Sequence, residues 1–545
     1  MLFFGVRPFW LEMRVPKMEL QSRVEYFFGK TNRIIDDRNE AIKALSNVTL
    51  TIQNELVERI KKGSTCSMLL KLYYIFDEVH SIYLQEKKTR NQLLKYNFDD
   101  NIIETFLSNA HIERNIIDSC NIWIENCVLL QHDVNWRNVK INNDFVMDTK
   151  LLIDMFLYGA ASQYLSLLNL SKNISDKNTY YGIQICLTET VPVDILKYHP
   201  YIFFNTVLVG NQNILNDNKF TAEADKTEFG RGFYEENNVQ FLEFLAALKC
   251  FQDDMYMLKG DDKSLTIVSK QSLISYVSSC TSPKIDGDKF YNSFVLNKEK
   301  IENQLRPNEP IIWIMGANKY RHEIRPFIGF DDGNVLLSYG ALEQAKQLWV
   351  SYFNNGGNYY TNPKNTDALK KAMEKRNDEL SNVLIEKIRG ILHKYFTADI
   401  DLKDVDYKRI FGKEEENYGD FDIVFFDKGK RELFLIESKY FSDSLNATGL
   451  INDYNKMFEK NGYYYHCRKR YNLVLAEPDK LKNFLNIEGS IRVHMLFVSS
   501  KPIELDLQDD DKVVTFLSLN IFEKYITNKL ISDEDNSIIN TAIEL

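Results

Sequence analysis

The chain has little of what would give it a special architecture. It contains 11 prolines and 23 glycines in 545 residues, too few for a collagen-like or Pro/Gly-rich low-complexity protein. Its seven cysteines, at 66, 120, 127, 186, 250, 280 and 467, include no CxxC pair. An odd, widely spaced set argues against a disulfide framework or a thiolate zinc site. It reads as reduced core thiols in a cytoplasmic protein. No apolar run reaches the length of a membrane helix, so no membrane partner is expected. The apolar N-terminus, MLFFGVRPFWLEMRVPKMEL, is interrupted by Glu12 and Glu19 and has no small-residue cleavage site, so it is not read as a signal peptide. LFFGVRPFW reads instead as a buried strand or an arm packed on a neighbour. Positive charge is also in deficit, with a formal net charge of −10. Nucleic acid would have to be met through a local basic surface.

What is present is ordinary globular material, 44% hydrophobic and 26% charged, enough for several domains with real cores. Residues 1–172 read as a mostly helical N-terminal region. Segments such as VEYFFGKTNRIIDDRNEAIKALSNVTLTIQNELVERIKK and SMLLKLYYIFDEVHSIYLQ repeat apolar residues every three or four positions. Residues 173–355 read as a mixed α+β middle domain. It contains strand-like TYYGIQICLTETV and YIFFNTVLVGN, a Gly-containing turn at 230–232 before an apolar helix, and a hairpin turning at Asp331-Asp332-Gly333. A loop with Lys319, Arg321, His322 and Arg325 is either a nucleic-acid contact or a solvated basic surface. NNGGNYYTNPKNT, 354–366, is rich in Gly and Asn and poor in apolar residues, a domain boundary by composition. Residues 366–545 alternate helix and strand patterns, as an α/β domain does.

Within that last domain the informative stretch is YGDFDIVFFDKGKRELFLIESKY, 418–440. Two apolar limbs, DIVFFD and ELFLIESK, flank a polar turn, a hairpin signature. With Gly429-Lys430 as a two-residue II′ turn, Lys428 pairs with Arg431 and Asp422 lies opposite Glu437. Lys439, two residues on, points to the same face. Two carboxylates on adjacent apolar strands repel unless a cation intervenes. A hard divalent ion with oxygen ligands, Mg²⁺ or alternatively Mn²⁺, answers that need. A neighbouring Lys can orient a water and stabilise phosphate charge. The chemistry indicated is metal-assisted phosphodiester hydrolysis. The competing reading is a structural hairpin with a solvated row of charges at its end.

The D-(x)n-E-x-K pattern across a hairpin resembles the PD-(D/E)xK nuclease superfamily, the restriction-endonuclease-like fold, over the last third of the chain. Phe421 stands where the motif's name puts Pro. The resemblance implies a mixed central sheet, with Asp422 and Glu437 as metal ligands, the Ser438 carbonyl as a further ligand and Lys439 as the catalytic lysine. Asp420 is a second candidate for the Asp422 role. It also implies an acidic residue on the first core helix. Glu386 is chosen from LIEKIRGIL because apolar positions surround it, with Glu379 as runner-up. The first core strand is expected within 398–411, and a helix from Ala447 to Lys460 is expected after the hairpin.

YYYHCRKRY, 463–471, interleaves aromatics with His466, Arg468, Lys469 and Arg470. It is the best local nucleic-acid-binding patch, or else a helix end with a solvated basic face. The expectation is a multidomain Mg-dependent deoxyribonuclease, since most of the family act on DNA. Residues 1–355 would regulate it, target it, or bind a protein partner or activating ligand. A bacterial host-defence or restriction setting would suit such a fusion by analogy. The oligomeric state stays open, a dimer among the options. The alternative is a nucleic-acid-binding or partner-binding scaffold with an inactive nuclease-like domain.

Overall fold

A computed structural model describes residues 14–29, 33–35, 37–95, 100–136, 147–170, 183–186, 189–192, 223–259, 265–280, 285–303, 305, 321–357, 368–412, 416–442, 453, 456–501, 507–509, 511–532 and 536–545. Among them no helix is long and apolar enough to cross a membrane. The N-terminal arm and the YIFFNTVLVGN strand lie outside the described residues, as does most of the helix expected over Ala447 to Lys460. The chain divides into two compact units. One comprises Met1–Leu168, Thr179–Leu196 and Phe220–Glu374; the other comprises Asn169–Asn178, Lys197–Lys219 and Lys375–Leu545.

In the first unit, long helices run over Arg38–Lys62, Thr65–Lys95 and Asp100–Leu129, as the apolar spacing predicts. A four-stranded sheet follows, in the order Leu265–Ser269, Asn334–Ser338, Phe327–Gly329, Val295–Leu296. The hairpin at Asp331-Asp332-Gly333 forms, with Gly333 at φ 78°. Segments on both sides of the break read near 172 belong to the first unit. Buried polar bonds tie the early helices to the 321–340 segment. Arg321 Nε lies 2.9 Å from Glu125 Oε1, and the His322 amide donates to the same oxygen at 2.8 Å. Tyr73 Oη is 2.7 Å from His322 Nε2, and the Gly340 amide donates to Asp77 Oδ1 at 3.2 Å.

These bonds also overturn the basic-loop reading. Arg321, His322 and Arg325 are buried, so they serve the interior and not a phosphate backbone; Lys319 lies outside the described residues. Burial pushes the His322 pKa down to about 3, and the Arg321 charge adds to the effect. The glycines at 230–232 lie inside a helix, Glu228–Asn237. A Cβ on Gly230 would come within 2.4 Å of the Ala224 carbonyl oxygen. Close packing inside the helix, not a turn before it, requires glycine there.

The second unit is organised on one mixed sheet. Helix α1 (Ala368–Tyr395), which belongs to this unit from Lys375 on, leads into β1 (Ile400–Asp406), α2 (Lys408–Phe411), β2 (Asp420–Asp427) and β3 (Glu432–Lys439). Then come α3 (Tyr463–Ala476), α4 (Pro478–Leu485), β4 (Arg492–Ser499), β5 (Thr515–Ser518), α5 (Leu519–Ile526) and β6 (Ile543–Glu544). The strand order is β5-β4-β3-β2-β1, with β6 on the β4 flank. β1, β2 and β3 are antiparallel, while β3-β4 and β4-β5 are parallel. Both faces are apolar, as a sheet covered on two sides requires. Ile423, Phe425, Phe434 and Ile436 cluster with α1 and α5. Val424, Phe426, Leu433 and Leu435 cluster with α3 and α4.

The β2-β3 register follows the count made from the sequence. Asp427 opposes Glu432 and Ile423 opposes Ile436, so one step further Asp422 faces Glu437. The turn itself differs. The left-handed residue is Arg431, φ 58°, not Gly429. Asp427 Oδ1 accepts the Lys430 amide at 2.8 Å and its Oδ2 accepts the Thr397 amide at 2.8 Å. The Arg431 guanidinium is held by the Ser490 and Glu488 carbonyls at 2.5 and 2.6 Å. A four-residue connection therefore replaces the two-residue one. Both keep the same pairs opposite each other, so the strands are unaffected.

Candidate active site

Side chains alternate along a strand. Asp422 therefore shares the sheet face of Val424 and Phe426, and Glu437 and Lys439 share that of Leu433 and Leu435. All three lie on the α3 side, at the open end of the hairpin. Lys439 Nζ lies 2.7 Å from Glu437 Oε1 and 3.5 Å from Asp422 Oδ2. The Ser438 amide donates to Asp422 Oδ2 at 2.6 Å, and its hydroxyl donates to the same oxygen at 3.2 Å. The Ser438 amide thus orients the carboxylate across the strands. Glu437 and Ser438 are buried. Lys439 keeps 26% of its side chain exposed, enough to meet a ligand.

A fourth charge joins them. Arg470, from α3, bonds Glu437 Oε2 through Nη2 and the Tyr418 carbonyl through Nη1. It is buried, with its guanidinium 5.6 Å from the Phe421 ring centroid. The neighbouring Tyr471 hydroxyl accepts the Glu437 amide at 3.2 Å and lies 2.6 Å from the Leu496 carbonyl and 2.9 Å from that of Leu435. It pins β3 beside β4 at the point where Glu437 emerges. Cys467, Arg470, Tyr471 and Val474 are the buried positions of α3, spaced i, i+3, i+4, i+7. That is the spacing of a core-facing helix stripe, so Arg470 stands where an apolar residue would be expected. This was the available sequence signal, and three consecutive basic residues hid it.

The electrostatics follow from burial and neighbours. Burial first, and then the Glu437 charge, raise the Asp422 pKa to about 6. Burial alone would lower the Lys439 ammonium; Glu437 and then Asp422 outweigh it and hold the pKa above its usual value. Asp420 is raised too, by burial and then by Asp406. It pairs with Asp406 across the edge strand, closer to solvent than Asp422.

Other expected residues do not converge. Glu386 lies on α1, across the sheet from Asp422. It is bonded to Arg389 at 3.2 Å and paired with Lys403, with 55% of its side chain exposed. Glu379 pairs with Arg376 at 2.8 Å. The basic patch is divided around α3, because successive residues turn by 100°. Arg470 faces the core. Arg468 pairs with Asp511 and lies 4.0 Å from Asp509. Lys469 sits over the Tyr465 ring at 5.3 Å, and His466 has a buried Nδ1 with no hydrogen-bond partner among the described residues.

Two carboxylates on neighbouring strands are the oxygen donors that Mg²⁺ or Mn²⁺ takes. Both Glu437 oxygens are bonded to cations, however, and among the described residues no group of three or more His, Cys, Asp or Glu is arranged to hold a metal. The donor chemistry fits an ion; its arrangement is filled by Lys439 and Arg470. No family model, curated protein or solved structure matches this chain. The class established by the fold is a two-unit protein with N-terminal helices and a C-terminal mixed sheet.

Proposed function

We propose that the second unit is a metal-dependent nuclease of the restriction-endonuclease-like type, acting on DNA. The observation that carries this reading is the junction of Asp422, Glu437 and Lys439 on one sheet face, within 3.5 Å of one another through the lysine. Asp422 and Glu437 would hold Mg²⁺, which when bound supplies Lewis-acid activation of water and neutralises phosphate charge. Lys439 is a permanent cation near neutral pH. Its task is to position the attacking water and stabilise negative charge on the phosphate. Ser438 keeps the Asp422 carboxylate turned toward the lysine. Within this reading, the first unit regulates or targets the activity.

The test is cleavage of supercoiled plasmid, linear duplex, single-stranded DNA and RNA in Mg²⁺, Mn²⁺ or EDTA, beside Asp422→Ala and Lys439→Ala. Metal-dependent cutting lost in both variants supports the proposal. Equal cutting by Lys439→Ala sinks the mechanism.

One observation favours a second reading. Lys439 and Arg470 already neutralise the two carboxylates, as they would in a structural ion cluster of an inactive, nucleic-acid-binding or partner-binding domain. That domain would bind without cutting, and its Lys439→Ala variant would bind as the parent does.

A further inference from the structure

The two cations on Glu437 are not equivalent. Lys439 extends from the same strand and reaches both carboxylates. Arg470 comes from a helix and, among the described residues, reaches only Glu437 of the carboxylates, taking Oε2 while Lys439 takes Oε1. The protein has made room for it. Its second arm bonds the Tyr418 carbonyl, and the next residue, Gly419, has φ 77°, where an added Cβ would stand 3.1 Å from Arg470 Nη1. Its Nε is buried with no hydrogen-bond partner among the described residues, so the guanidinium is only partly satisfied. Taken as formal charges, Asp422 and Glu437 balance Lys439 and Arg470. Adding a divalent ion while all four remain would place two uncompensated positive charges in a poorly solvated cluster, which is strongly disfavoured. One cation must leave, and Arg470 can do so without disturbing the Lys439 contact to Asp422.

We propose that Arg470 is a resident stand-in for the divalent cation, holding Glu437 in the metal-free protein and leaving Oε2 when metal arrives. The inference rests on the nuclease reading and adds to it that the site is self-neutralised at rest, so that metal enters by exchange. Arg470 is then a positioning residue, and its removal strengthens metal binding.

The experiment is calorimetric titration of the full chain with MnCl₂, and the Mn²⁺-induced change in melting temperature. The proteins are wild type, Arg470→Gln, and Arg470→Gln combined with Asp422→Asn. Arg470→Gln should bind Mn²⁺ roughly tenfold tighter or more, because a close like charge has been removed. Its melting temperature should rise more with Mn²⁺ than that of wild type, and the added Asp422→Asn should abolish both effects. Should the Gln variant not fold, Arg470→Lys decides. It keeps the charge but loses the fork that spans Glu437 and Tyr418, and the same ordering is expected at smaller amplitude. Equal affinity in wild type and variant, dependent on Asp422, overturns the exchange and leaves the metal-site reading standing. No uptake by either protein overturns both.

Discussion

The raised pKa of Asp422 makes the candidate site a measurable burden on stability. An ordinary aspartate titrates near 3.9, and Asp422 in the folded protein titrates at about 6. The sign follows from which state holds the proton. Between these values the folded chain binds more proton than the unfolded one, so stability falls as pH rises through the window. The penalty is complete above about pH 6 and fades toward pH 4. Two pKa units correspond to about 3 kcal/mol, and about 2 kcal/mol is a prudent figure for a group with some solvent contact. Asp422→Asn removes the charge and keeps an oxygen for the Ser438 amide. It should therefore stabilise the metal-free protein at pH 8 by about 2 kcal/mol, or about 4–8 °C for a unit of this size. The assay is thermal denaturation in EDTA at pH 4.5, 6 and 8. The gain should shrink steadily toward pH 4.5. An Asn variant no more stable than wild type at pH 8, or a gain that ignores pH, would refute the reasoning.

Three further outcomes follow from named contacts. Glu386→Gln should leave cleavage and metal binding unchanged and alter stability by under about 0.5 kcal/mol, since its carboxylate is exposed and across the sheet; a loss of cutting would return Glu386 to the site. Tyr471→Phe removes the hydroxyl shared by the Glu437 amide and the Leu496 and Leu435 carbonyls. It should cost about 1–3 kcal/mol in chemical denaturation and lower cleavage by loosening Glu437. Arg321→Ala in the first unit leaves Glu125 buried without its cation and should cost about 3–5 kcal/mol, read as an early thermal transition.

The hairpin was legible from residue order alone. Period-two alternation assigns faces, and counting from the turn assigns pairs, so Asp422, Glu437 and Lys439 could be brought together before any coordinates. Strand β1 forms within 398–411, where the resemblance places the first core strand. The turn type was not, because the Asp427 side chain and the distant Ser490 and Glu488 carbonyls chose the conformation of Arg431 over that of Gly429. Glu386 illustrates a second limit. Apolar spacing shows that α1 packs on the sheet, but both sheet faces are apolar, and nothing local says which one α1 covers. His322 and Arg321 illustrate a third, since a basic loop and a buried ion-pair network have the same composition until a partner such as Glu125 is found 196 positions away. Arg470 combines them all. Its helix phase pointed inward, yet only the tertiary fold put it on Glu437. Strand register and the convergence of the motif depend on neighbours along the chain, so residue order alone makes them readable. Sheet face and charge neutralisation depend on partners distant in the chain, and they become readable once the chain is folded.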